Sequence, residues 1–104
     1  MIPRGSATIR GGTGCQARPF TVAVSGRQIE QVVFTVDGKV TRVLSQPNSG
    51  SRWILPINPR MRKFGLHRVL ARIIYTKASG TKSRTLRVVF SRCARRASRP
   101  AFTG

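Results

Sequence analysis

Apolar side chains recur at every second position along this chain, in short runs separated by turn residues. Phe20, Val22 and Val24 share one face of a run that Ser25-Gly26 ends. Val32, Phe34 and Val36 do the same within Ile29–Val36, and Trp53, Leu55 and Ile57 within 52–57. A two-residue period is that of a pleated strand with one buried face. Asp37-Gly38 follows Val36 at once and predicts a hairpin, since both central positions of its turn need positive φ. Lys39–Leu44 is then the returning strand, with Val40 and Leu44 apolar and Thr41 and Val43 on its other face.

The remaining runs extend the pattern. Pro56 marks its strand as an edge strand or the end of one, because proline cannot donate to a ladder. The longest strand spans 66–75. Its inward set is read as His67, Val69, Ala71, Ile73 and Tyr75 rather than Leu66, Leu70 and Ile74, because the latter parity also carries Arg68 and Arg72. A last strand over 83–91 turns Leu86, Val88 and Phe90 inward and Arg87 outward, and Ser6–Arg10 is a weaker candidate. Gly11–Gly14, Gln46–Ser51, Asn58–Gly65 and Ala78–Thr81 read as breaks, the third with room for a single helical turn. Seven short strands with turn signals every ~8–12 residues predict an all-β, antiparallel β-sandwich, with a small barrel as the alternative. No helix of usable length competes. Residues 1–13 are expected as an extended N-terminal segment, 14–93 as the domain and 94–104 as a basic tail.

A chain of 104 residues fits one domain, and 39% hydrophobic residues supply a modest core. Charge narrows the function. Sixteen Arg and four Lys face only Glu30 and Asp37, for a formal charge of +18. Such a domain repels its own copies and attracts polyanions, although a high arginine share also follows from GC-rich coding. A carboxylate dyad would need both acids side by side. A zinc site would need His67, Cys15 and Cys93 together, and no spacing supports either, so no enzyme, metal or cofactor is expected. No apolar run approaches the ~20 residues of a membrane span. Met1–Gly5 lacks the apolar stretch of a signal peptide, which leaves compartment open, since a domain cut from a longer secreted chain would lack one too.

Cys15 and Cys93 bracket nearly the whole expected core. A bridge between them would close a loop of 78 residues and stabilise the fold by at most about 4.5 kcal/mol in the chain-entropy model. It would also imply an oxidising compartment. Two separate thiols are the alternative, and the lack of a Cys-x-x-Cys pair argues against redox chemistry.

The arginines are the candidate binding residues. Arg68, Arg72 and Arg87 are expected on the outer face of the last two strands. Arg68 and Arg72 would lie ~13 Å apart with Arg87 between them. Arg92, Arg95, Arg96 and Arg99 cover a second region or lie along the sandwich, and Phe102 suggests that the tail docks on its own domain or a neighbour. No aromatic residue alternates with Arg68, Arg72 and Arg87, which argues against base stacking. No helix is available for a DNA groove, which argues against sequence-specific DNA binding. His67 reads as a half-buried imidazole bonded to a turn carbonyl and Asp37 as a turn residue. Glu30 reads as a local counterion, and Trp53 as core in phase with Leu55 and Ile57.

Several phrases occur in a familiar order: Gly14-Cys15; Phe20-x-Val22-x-Val24-x-Gly26-Arg27; Val32-x-Phe34-x-Val36-Asp37-Gly38-Lys39; Gly65-x-His67-Arg68-Val69-x-Ala71-Arg72; Ser79-Gly80-Thr81-x-x-Arg84-Thr85-Leu86-Arg87; Phe90-x-x-Cys93-x-Arg95; Arg99-Pro100-x-Phe102-Thr103-Gly104. Over roughly residues 14–104 the chain resembles the Arg-rich bacterial Ig-like domains found near the C-termini of secreted and cell-surface proteins of high-GC Gram-positive bacteria. The resemblance implies an Ig-like sandwich, an extracellular or cell-surface location, and a non-catalytic structural or adhesive role. It carries over no binding residues. The chain departs from antibody-type domains in that its bridge would not cross the core centre, Trp53 lies on the fifth strand, and Tyr75 sits late in its strand. Three functions stay open: an adhesive module making protein–protein contacts; a module that binds nucleic acid or acidic glycan through its arginines; and a subunit of a homo-assembly, whose N-terminal stretch adds to a neighbour's sheet edge.

Overall fold

The alternating runs fold into strands, which a computed structural model describes for residues 4–93. In chain order these are β1 (Ser6–Arg10), β2 (Gly14–Cys15), β3 (Phe20–Arg27), β4 (Ile29–Val36), β5 (Lys39–Leu44), β6 (Trp53–Ile57), β7 (Gly65–Tyr75) and β8 (Arg84–Arg92). They form a smaller sheet of three strands, ordered β1-β3-β6, and a larger sheet of five, ordered β2-β8-β7-β4-β5. The described residues contain no α-helix, only short 3₁₀ turns at Pro59–Met61 and Lys77–Ser79.

One core lies between the sheets. Val22, Val24, Trp53, Leu55 and Ile57 of the smaller sheet join Val32, Phe34, Val36, Val69, Ala71, Ile73, Val88 and Phe90 of the larger. The predicted inward set of β7, from His67 to Tyr75, is buried at every second position. Burying a side chain the size of Val, Leu or Phe contributes about 1.5–3 kcal/mol, so a one-residue slip, which turns the whole set to solvent, would not be tolerated. Phe20 meets Phe90 edge to face with centroids 5.1 Å apart. Pro56 does lie on an edge strand, since β6 ends the smaller sheet. Asp37 and Gly38 both take positive φ, 50° and 86°, as their hairpin turn requires.

The structure departs from the sequence reading at several points. It has eight strands, not seven, because Gly14–Cys15 pairs with β8, and that pairing is parallel rather than antiparallel. The weaker candidate Ser6–Arg10 is a strand, β1, antiparallel to β3, with Ala7 in the core. The strand-addition expectation therefore needs a segment that is already hydrogen-bonded within its own chain. Gly5 crosses the ring of Tyr75, where a Cβ would fall 2.2 Å from Cδ1. In β5 the phase breaks. Thr35 pairs with Val40 but Phe34 with Arg42, so a bulge leaves Thr41 over. Val40, outward opposite Thr35, thereby shares its face with Val43, at 65% and 50% exposure, and of β5's apolar residues only Leu44 packs against the core.

Cys15 and Cys93 are joined, with Cα atoms 5.5 Å apart. A two-residue strand has little hold of its own. The bridge and the bond from the Gln16 amide to the Ser91 carbonyl (2.8 Å) fix β2 along β8. The tail, 94–104, with Arg95, Arg96, Arg99 and Phe102, lies outside the described residues. No helix among the described residues is long and apolar enough to cross a membrane.

Candidate functional site

The larger sheet turns its second face outward. β7 alternates there between Leu66, Arg68, Leu70, Arg72 and Ile74, the parity left over once its core set is buried. Strand pairing brings Arg68, Arg72 and Arg87 together as expected, with Arg87 opposite Leu70, midway between the other two. It also places an apolar neighbour beside each arginine: Val89 opposite Arg68, Val33 opposite Arg72, and Leu70 opposite Arg87. Val40 and Val43 continue this face onto β5, opposite Thr35 and Val33. Apolar neighbours give the arginine stems a surface to lie on while the guanidinium heads reach water. Among the described residues, none of these three heads forms an ion pair within the chain, because the one ion pair there joins His67 to Asp37. The face is therefore not a purely basic strip. It is an apolar sheet surface studded with fixed positive charge.

Arg92 does not belong to it. On β8 it has the parity of Phe90, and Gly65 is its partner across the ladder. Its guanidinium sits 4.2 Å from the Phe64 ring centroid and donates to the carbonyl oxygens of Arg60 and Arg62. These contacts employ Arg92 in holding the 59–64 turn. It borders a cleft of about 610 Å³ that is also lined by Gln16, Ala17, Pro59, Arg60, Phe64 and Cys93.

The pair Asp37 and His67 is the other constellation with chemical potential. β4 and β7 pair at Val36 and Val69, which brings the hairpin turn beside the start of β7. The His67 Nδ1–H donates to Asp37 Oδ2 at 2.5 Å and its Nε2–H to the Lys63 carbonyl at 2.7 Å. Asp37 Oδ1 accepts from the Arg68 amide at 3.0 Å, and the Asp37 amide donates to the Arg68 carbonyl at 2.9 Å. A carboxylate and a carbonyl can only accept, so both ring nitrogens carry protons. The bond to Asp37 raises the His67 pKa above its ordinary value, helped by the Lys63 carbonyl and opposed by burial and Arg62. Burial pushes Asp37 up, but the bonds from His67 and the Arg68 amide, with the charges of His67 and Arg62, outweigh it and hold the carboxyl below its ordinary value. The ring is only 7% exposed and stacks on Phe90 at 5.2 Å. With both nitrogens engaged it offers no lone pair to a substrate proton, and the arrangement is a clasp between two loops.

The expected bond from His67 to a turn carbonyl is present, and Trp53 is in the core. The Asp37 partner was missed, although the chain has a single histidine and two acids. Leu66, Leu70 and Ile74 already share the parity of Arg68 and Arg72 in the sequence; what it does not show is that Val33, Val40, Val43 and Val89 join them on this face. Among the described residues no group of three or more metal-ligating side chains comes together. No family model matches the chain, and neither a curated protein nor a solved structure matches it.

Proposed function

We propose that the chain is a non-catalytic, Ig-like adhesive module of a secreted or cell-surface protein, and that it grips an acidic, partly apolar protein surface with the outer face of its larger sheet. The observation that carries this reading is the pairing of each outward arginine with an apolar neighbour: Arg68 with Val89, Arg72 with Val33, Arg87 with Leu70. Protein interfaces combine apolar contact with arginine anchors, whereas polyanion affinity comes chiefly from charge. A second copy is a poor occupant, since each carries +18. The disulfide suits an oxidising compartment. The Ig-like assignment rests on two sheets around one core and on the ordered motifs. Binding of nucleic acid or acidic glycan by Arg68, Arg72 and Arg87 is the second reading, favoured by their spacing alone.

The test compares a peptide of alternating Glu and Val with heparin as probes. Arg68→Gln, Arg72→Gln and Arg87→Gln together should weaken the peptide by about a hundredfold or more, near 3 kcal/mol. Val40→Ser with Val43→Ser should weaken the peptide and leave heparin unchanged. If both probes ignore the valines and follow only the arginines, the polyanion reading replaces this one.

A further inference from the structure

The smaller sheet has an outward face of its own, and its three strands carry no carboxylate: Glu30 and Asp37 lie on β4 and its turn. Small side chains floor this face. Ala23 of β3 is flanked in one ladder row by Arg10 of β1 and Ile54 of β6. Arg52, just before β6, stands on the far side of β3 from Arg10. Its position is built rather than incidental. Arg52 and Ser49 exchange backbone hydrogen bonds at 2.9 and 3.1 Å. Asn48 caps the free edge of β6, accepting from the Ile54 amide at 2.8 Å and donating to its carbonyl at 3.1 Å. The 48–52 loop is thereby held against β6, with Ser49 and Arg52 beside the floor. Arg10, Thr21, Ala23, Ser49, Arg52 and Ile54 line a surface cavity of about 380 Å³.

We infer that this cavity is an oxyanion site, which binds one phosphate or sulfate group between the guanidinium groups of Arg10 and Arg52. Two planar donor forks on opposite walls suit a tetrahedral anion, and the Thr21 and Ser49 hydroxyls can donate to its remaining oxygens. A volume near the lower end of ligand pockets has room for the anion and the first atoms of an ester chain, so the site takes the group free or as a monoester. This site lies on the opposite sheet from Arg68, Arg72 and Arg87, and it stands or falls independently of the adhesive face.

The experiment is an amide NMR titration at constant ionic strength with inorganic phosphate, repeated with methyl phosphate to separate the free ion from an ester. Saturable shifts should centre on Thr21, Ala23, Ser49, Arg52 and Ile54. Arg10→Gln with Arg52→Gln should weaken binding by about tenfold or more. Both positions are exposed, so the fold should survive, and an unchanged core spectrum checks this. Arg68→Gln with Arg72→Gln should leave the affinity unchanged. Shifts spread evenly over the surface arginines, or an affinity indifferent to the Arg10 and Arg52 changes, would overturn the site.

Discussion

Asp37 accepts a hydrogen bond from His67, thirty positions further along the chain, and through it the β4–β5 turn is tied to the loop that precedes β7. His67 completes the tie by donating to the Lys63 carbonyl. The pair is largely withdrawn from water on the His67 side, with side-chain exposures of 9% and 40%.

This clasp predicts a stability maximum in mildly acidic solution. His67 has a raised folded pKa, so its contribution is complete below the ordinary value of 6.5 and is lost as pH rises through the raised value. Asp37 has a depressed folded pKa, so its contribution is complete above 3.8 and is lost as pH falls through the depressed value. Asp37→Asn tolerates the positive φ but removes the charge, and should cost about 1–3 kcal/mol near pH 5. Urea unfolding across pH should show a flatter profile for the variant. Identical profiles would mean that the two groups do not interact.

The bridge makes a second prediction. Reduction should lower stability by about 2–4 kcal/mol, and amide exchange should quicken first at Gly14–Gln16, because β2 has so little else to hold it. A melting temperature unaffected by reductant would contradict this.

The β4–β5 hairpin puts Val36 inside and Val40, opposite Thr35, outside. Val36→Thr puts a hydroxyl in the core and should cost about 1–3 kcal/mol. Val40→Thr, on the outer face, should stay within about 0.5 kcal/mol. Equal losses would contradict the outward placement of Val40.

Gly5 tests whether β1 belongs to the domain. Gly5→Ala drives a methyl group into the Tyr75 ring and should cost about 1–3 kcal/mol in thermal unfolding. No loss would mean that residues 4–10 do not pack as described.

The faces of β3, β4, β6, β7 and β8 were legible because burial on one side writes a two-residue period into the sequence. Features that depend on which strands become neighbours were not. Gly14–Cys15 is too short to show a period, and its parallel partner is more than seventy residues away. The Thr41 bulge adds one residue that looks like any other strand position. Asp37 meets His67 only because β4 pairs with β7, and Arg52 stands by Arg10 only because β3 lies between β1 and β6. Of the arginine site, Arg68, Arg72 and Arg87 were placed by parity, whereas Arg92 was grouped with the tail and proves to hold the 59–64 turn.

The adhesive face is tested most directly by calorimetry of the alternating Glu–Val peptide over a range of temperatures. Burial of Val33, Val40, Val43 and Leu70 beside the arginines predicts a negative heat-capacity change that shrinks in Val40→Ser with Val43→Ser. A heat-capacity change near zero, with an affinity that falls with salt as steeply as that of polyglutamate, would contradict apolar docking and leave only charge attraction.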